Sequence, residues 1–412
     1  MKKFIFLILS GLVLFSLSGC ISTNRLTTLN YSGFLSMNQE KNPFRYTLMH
    51  ENDSSTLLIV ETDMNKLKYK KSENSDQLIA KYQIGYQIYP DITSNTVSDS
   101  NSVFFEDSVY FAANQRQKHQ VKMKVHTGET SFVNIRMADL QSGKKYNHFH
   151  EIAKSNQDGM NYLTKNASGN IHYPNYKQFY DQYRFSYRDN LSIELIAIQY
   201  KIKNTNLAAP PFAEQPRQDS SLQIKDTILL KQGILNTANL SGLFIIRRQD
   251  DAKGGNRFLA LNNNFPKPAG NKDYIAPLRY ITTNREFLKL RHSADKQLAK
   301  EDFWQDATGD YDRAYERMWE YDKRVSLANT YFTSYKEGWK TDRGMIFIIF
   351  GKPHSILKYK GQEKWIYHED QSRELTFIFK MSKAKSPLSD YYLERKEAYR
   401  IPWYQQVETW KN

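Results

Sequence analysis

Gly338-Trp339-Lys340-Thr341-Asp342-Arg343-Gly344, followed at once by Met345-Ile346-Phe347-Ile348-Ile349-Phe350-Gly351-Lys352-Pro353, is the stretch on which the fold turns. A long amphipathic segment leads into it and an unbroken apolar run leaves it. The six apolar residues closed by Gly351-Lys352-Pro353 read as a buried strand. Gly338 stands where a helix would stop in a left-handed conformation. Trp339 would then cap the core between helix and sheet. Asp342, with Thr341, would accept backbone amides in the turn, an Asx-type arrangement. Arg343 would pair with Asp342 or face solvent. The functional alternative makes Asp342 an acid/base or a ligand, with Arg343 binding an anion. No second carboxylate or histidine stands nearby in sequence to complete an acid–base pair, so a turn clasp joining helix to strand is favoured over a catalytic site.

Upstream, the hydrophobic period changes from 2 to 3.6 at Thr283. Thr283-Asn284-Arg285-Glu286 is a capping box, and helical patterning continues through Leu290 and Leu298 toward Phe303-Trp304. A longer helix is expected over 311–335, with Ala314, Met318, Tyr321, Val325, Ala328 and Phe332 as its apolar stripe. Downstream of the motif, two more strands are expected over 364–368 and 375–380, joined by the turn Glu369-Asp370-Gln371-Ser372.

The motif, with Phe303-Trp304, Tyr321-Asp322-Lys323-Arg324-Val325 and Phe350-Gly351-Lys352-Pro353, resembles the GWxTD-domain family of bacterial envelope proteins, often predicted lipoproteins. The match is complete at Gly338, Trp339, Thr341 and Asp342 and extends over about residues 280–380. The resemblance implies an envelope compartment. It brings no catalytic residue to carry over.

The rest of the chain is read from its periodicity. Short runs recur between turn signals: Thr56-Leu57-Leu58-Ile59-Val60, Leu78-Ile79-Ala80-Lys81-Tyr82-Gln83-Ile84, Ser108-Val109-Tyr110-Phe111 and Val121-Lys122-Met123-Lys124-Val125. In the last, apolar and basic residues alternate, as on a strand with one wet face. Ser142-Gly143-Lys144 supplies a hairpin turn. Further strands are expected over 191–203, 222–230, 240–247 and around 258–261. Pro210-Pro211 and Pro216 mark an exposed insertion over 204–220. Pro174-Asn175-Tyr176 would open a short helix carrying Tyr176, Phe179, Tyr180 and Tyr183. The five tyrosines from Tyr173 to Tyr187 are either core packing or a stacking platform for glycans. His148-Phe149-His150 with Glu151 sets two imidazoles on one side of a strand, but the usual further zinc ligands are missing. No cofactor or metal is expected.

The first twenty residues carry an address. Lys2 and Lys3 form a positive region, 4–14 an apolar core, and Leu17-Ser18-Gly19-Cys20 resembles a lipobox. Cys20 is the single cysteine in 412 residues, so no intrachain disulfide is possible. Acylation of its thiol by a palmitate-type chain would tether an otherwise soluble protein. Ile21, rather than an acid, resembles an outer-membrane sorting signal, with the protein facing the periplasm. The net charge of +14 falls to +12 once Lys2 and Lys3 leave with the leader. Such a balance favours anionic partners, and the export signal argues against nucleic acid.

The expected architecture is a β-rich α+β chain: signal peptide 1–19, acylated tether 20–45, a β-sandwich-like domain 46–150, a second β-rich domain 151–280, and a helix plus small antiparallel-sheet unit 281–412. The expected role is a non-catalytic outer-membrane lipoprotein, a structural or accessory subunit of an envelope assembly, possibly for export or assembly of outer-membrane proteins. An envelope hydrolase or a glycan- or peptidoglycan-binding protein is the alternative. Expected partners are the membrane, through the N-terminal lipid, and envelope proteins.

Overall fold

The computed structural model describes residues 26–35, 42–73, 76–108, 116–155, 158–178, 180–201, 206–215, 223–251, 253–261, 264–267, 274–368, 374–382 and 390–412. Residues 1–25, with the expected leader and Cys20, lie outside them. So do residues 109–111 of one expected strand and the expected turn at 369–372.

Alternating burial builds the first unit. β1 (Phe44–His50) pairs antiparallel with β2 (Ser55–Asp63). Short β3 (Lys70–Lys71) then leads to β4 (Leu78–Tyr89) and β5 (Asp99–Ser108), followed by β6 (Arg116–Lys124), β7 (Thr130–Asp139) and β8 (Lys144–Ala153). The chain forms two antiparallel sheets, one ordered β1-β2-β6, the other β3-β4-β7-β8 with β5 also on β4. Leu58, Val60, Val121 and Met123 from the first meet Tyr82, Ile84, Val133 and Ile135 from the second in one core. This is a sandwich. On β6 the alternation runs as the sequence predicts. Val121 and Met123 point in, while Arg116, Lys118, Gln120, Lys122 and Lys124 are exposed. The hairpin at Gly143 (φ 73°) is held by the Asp139 carboxylate, which accepts from the Gln141 and Ser142 amides.

A second sandwich follows. Its smaller sheet is made of β9 (Tyr162–Asn166), β10 (Gln182–Tyr187) and, later in the chain, β13 (Ile234–Asn236). Its larger sheet is β12 (Gln223–Leu230), β11 (Leu195–Lys201), β14 (Gly242–Arg248) and β15 (Asn256–Ala260), in that order. Phe185, Tyr183 and Leu235 pack on Phe244, Ile246 and Phe258 between them. The short helix expected from Tyr176 is absent. Tyr176 instead bridges in parallel to Leu259, and Tyr183 lies inside β10. Helical spacing of the aromatics here is a coincidence of a loop and a strand, both packed inward. Tyr176, Tyr183 and Tyr187 are buried, Tyr173 is half-buried and Tyr180 is the exposed one. Their rings meet other core rings, Tyr176 against Phe265 and Tyr183 against Phe258. Tyr176, Tyr183 and Tyr187 are thus core packing.

The C-terminal unit opens with α1 (Asn284–His292), whose Thr283–Glu286 capping box is present in full. α2 (Lys296–Thr308) ends on left-handed Gly309, and α3 (Tyr311–Phe332) starts at the Asp310 cap. The predicted stripe is the buried face of α3: Ala314, Tyr321, Val325, Ala328 and Phe332. The segment expected as a strand over 345–350 is a helix, α4 (Asp342–Phe350). Met345, Ile346, Phe347, Ile348 and Ile349 are fully buried. An apolar run enclosed on all sides carries no period, so it cannot separate buried strand from buried helix. Thr341 decides it locally, because its hydroxyl caps α4 by accepting from the Gly344 amide. β16 (Ser355–Tyr359), β17 (Gln362–His368), β18 (Glu374–Met381) and β19 (Tyr391–Leu393) form one antiparallel sheet in chain order, and α5 (Arg400–Lys411) closes the unit.

Part of the expected tether belongs to this core. Tyr31 and Leu35 lie in it with no exposed surface, and Leu26, equally enclosed, packs instead with Tyr89, Ile92 and Phe132 of the first sandwich. The Tyr31 amide donates to the Ile356 carbonyl at 2.9 Å, and Asn30 brackets Ile356 and His354. The apolar residues scattered through 26–35 are anchors rather than decoration of a linker. Among the described residues no helix is long and apolar enough to cross a membrane.

Candidate functional site

The motif lies where α3, α4, β19 and the 206–215 segment meet. After Phe332 the chain reverses, and Gly338–Lys340 form a single 3-10 turn laid back on α3. Gly338 does not end a helix in a left-handed conformation, as the sequence suggested; its φ is not positive. It is required because a Cβ there would lie 2.0 Å from the Ala328 carbonyl oxygen. Gly344 has the same role from the other side, since its Cβ would lie 1.9 Å from the Gly338 oxygen. The two glycines let three backbone segments cross in contact.

The polar side chains of Thr341, Asp342 and Arg343 are all engaged inside the fold, although the buried Nε of Arg343 has no hydrogen-bond partner. Buried Asn329 on α3 accepts from the Trp339 amide at 3.1 Å and donates to the Pro266 carbonyl at 2.8 Å. The Tyr280 hydroxyl donates to the Trp339 carbonyl, and the Trp339 ring is buried in the core as expected. Thr341 donates to the Gly338 carbonyl at 2.7 Å while capping α4. Asp342, 5% exposed, accepts from the Leu393 amide at 2.7 Å and from both terminal nitrogens of Arg395 at 2.6 and 3.1 Å. Arg395 in turn donates to the Ala209 carbonyl and to Gln215. The proline-bearing segment is therefore no exposed insertion over 206–215. Pro211 is buried, and the Ala208 amide donates to the Lys340 carbonyl.

Arg343 neither pairs with Asp342 nor faces solvent. Its guanidinium reaches Glu363 at 3.2 Å and Asp390 at 3.4 Å, and lies 4.3 Å from the Tyr391 ring centre. Glu363 also receives Lys358 and the Trp365 indole N–H. Burial raises the Glu363 carboxyl, but Lys358 and Arg343 outweigh it and hold the group down at about 2. One pair on each side thus fixes the start of α4, Asp342 to Arg395 and Arg343 to the Glu363–Asp390 couple.

Sequence reasoning missed Arg395, Glu363 and Asp390, which lie 20 to 53 residues away from their motif partners. Two signals were available. Glu363 shares strand parity with the inward Trp365 and Tyr367, and Asn329 sits on the buried stripe of α3. A polar residue on an apolar face calls for a buried partner.

Residues 242–412 match the GWxTD domain family. The C-terminal part of the chain is similar to that family. The match begins at the first residue of β14, upstream of the helices, so the matched region takes in two strands of the second sandwich. A search of curated proteins finds no match.

His148 and His150, singled out for zinc, lie beside Tyr46 of β1, Phe34 and Lys358 of β16. His150 Nε2 shares a 2.7 Å hydrogen bond with the Tyr46 hydroxyl, and the enclosed His148 Nε2 has no hydrogen-bond partner. Burial, with Lys358 close by, pushes His148 down to about 3 and His150 to about 4. Both are neutral in the folded chain, whereas the unfolded chain takes up protons below about pH 6.5. Their contribution is therefore complete above pH 6.5 and is lost as pH falls toward the folded values, at about 1.4 kcal/mol per histidine per pH unit. Thermal melts between pH 7 and 4.5 should show stability falling steeply. His148→Phe with His150→Phe should flatten that fall, and an unchanged slope in the double variant would contradict the placement. Among the described residues, no group of three or more His, Cys, Asp or Glu side chains could hold a metal ion.

Proposed function

We propose that this protein is a non-catalytic lipoprotein of the outer membrane, tethered through Cys20 and serving as a structural or accessory subunit of a cell-envelope assembly. The observation that carries the reading is the state of Asp342. The motif's one carboxylate is buried and takes bonds from Arg395 and the Leu393 amide, which suits a joint between elements and leaves it no path to a substrate. Two sandwiches offer large strand faces for protein contact, and the basic surface suits acidic partners or anionic head groups. Export or assembly of outer-membrane proteins is the process we assign to that assembly.

The test is fractionation followed by affinity purification of the full chain from detergent-solubilised membranes. The chain should sediment with outer membranes and bring down a fixed, stoichiometric set of envelope proteins, and Cys20→Ser should release it to the soluble fraction. Recovery of the chain with no stoichiometric companion, or unchanged membrane association of Cys20→Ser, would overturn the reading.

A further inference from the structure

The strongest exposed apolar feature is on α3. Tyr311, Tyr315 and Trp319, four residues apart, form one stripe on the helix and are 72%, 61% and 56% exposed. Tyr311 and Tyr315 stand in an acidic setting within a basic protein, while the Lys323 ammonium lies over the Trp319 ring at 4.7 Å. Between Glu301 and Glu316 there are six carboxylates against one cation, Arg313, and all six are exposed. An isolated surface aromatic needs no explanation, but an aligned set of three with a charged rim marks a contact surface.

The complementary surface is on the same chain. A cleft of about 370 Å³ opens between the first sandwich and the small sheet of the second, within the ~300–1,000 Å³ range of occupied sites. Leu57, Ile59, Leu163 and Ile171 supply its apolar floor; Lys118, Lys165 and Arg188 stand at its wall beside Glu51 and Asp189, with Lys165 paired to Asp189 and Arg188 to Asp53. The wall continues as the exposed row Arg116, Lys118, Lys122 and Lys124 of β6, in which Arg116 pairs with Glu61 and Lys122 with Glu51, so that Lys118 and Lys124 are the cations of the row that face outward without an ion pair among the described residues. Arg188 and Asp189 are both in the left-handed region, φ 50° and 55°, a strained backbone that tertiary contacts sustain. The Arg188 side chain is fixed by Asn161 and Asp53.

We propose that the α2–α3 hairpin of one copy docks in this cleft on a second copy. Tyr315 and Trp319 enter over the apolar floor, and Asp302, Asp306 and Glu316 face the β6 cations. The two surfaces differ, so the contact is head-to-tail and propagates to a ring or an open filament rather than a closed dimer. This proposal goes beyond the envelope role and is independent of the lipid anchor.

The test uses the full chain in its membrane with a photo-crosslinking benzoyl-phenylalanine in place of Tyr315. The expected products are a dimer and a ladder of higher species, with the crosslink mapped to peptides containing 49–59 or 163–171. Asp302→Lys with Glu316→Lys should lower the yield at least tenfold, as should Lys118→Glu with Lys124→Glu, and the four changes together should recover most of it. All four positions are exposed, so folding, checked by circular dichroism, is retained. Absence of a self-crosslink, a product with a different protein, a map elsewhere, or no recovery in the fourfold variant would each overturn the proposal.

Discussion

Gly338→Ala and Gly344→Ala each abolish most of the folded protein, whereas Gly33→Ala leaves the melting temperature within about 2 °C. At 338 the added methyl would sit 2.0 Å from the Ala328 oxygen, and at 344 it would sit 1.9 Å from the Gly338 oxygen. Both obstacles are backbone atoms, so no rotamer change relieves them. Ordinary overpacking costs about 1–3 kcal/mol, and these contacts are closer than any side chain could yield. A loss above about 3 kcal/mol corresponds to roughly 10 °C or more for a unit of this size, if soluble protein is recovered at all. Gly33 is the control because its nearest neighbour, the Lys145 oxygen, would lie at an ordinary 3.6 Å. Scanning calorimetry of the three variants makes the comparison.

The second large effect is expected at Arg395. Arg395→Met removes the cation that holds both oxygens of Asp342 and also bonds Ala209 and Gln215. Asp342 is then left buried with a single amide donor. Breaking a buried pair from one side costs about 3–5 kcal/mol, because the remaining charge has lost its partner. Adding Asp342→Leu to Arg395→Met should recover part of that loss, since no charge is then stranded. Chemical denaturation of the two singles and the double gives the coupling. Equal and additive losses would contradict the pairing.

The sequence revealed the β-rich α+β class, the alternation on β6, the capping box at Thr283 and the buried stripe of α3, because each is written in local spacing. The family was legible too, since Gly338, Trp339, Thr341 and Asp342 stand together. The state of 345–350 was not legible, because complete burial erases the period that separates helix from strand. The partners of Asp342 and Arg343 were hidden for another reason. Arg395, Glu363 and Asp390 are brought to the motif by the sheet β16–β19 and the chain flanking it, and no local spacing encodes that approach. Gly338 is special for a different reason from the one its sequence context suggests. Sequence suggests φ freedom at Gly338, while the fold uses the absence of a Cβ at a backbone crossing.

The central claim is that the motif is a joint and not a reaction centre, and Asp342→Asn tests it most directly. The amide keeps the shape but loses the charge facing Arg395, so the account predicts a drop in unfolding free energy on the order of 2–4 kcal/mol, with any loss of cellular function following the loss of folded protein. A variant as stable as the parent, within about 0.5 kcal/mol, that nevertheless loses function in the cell would contradict it.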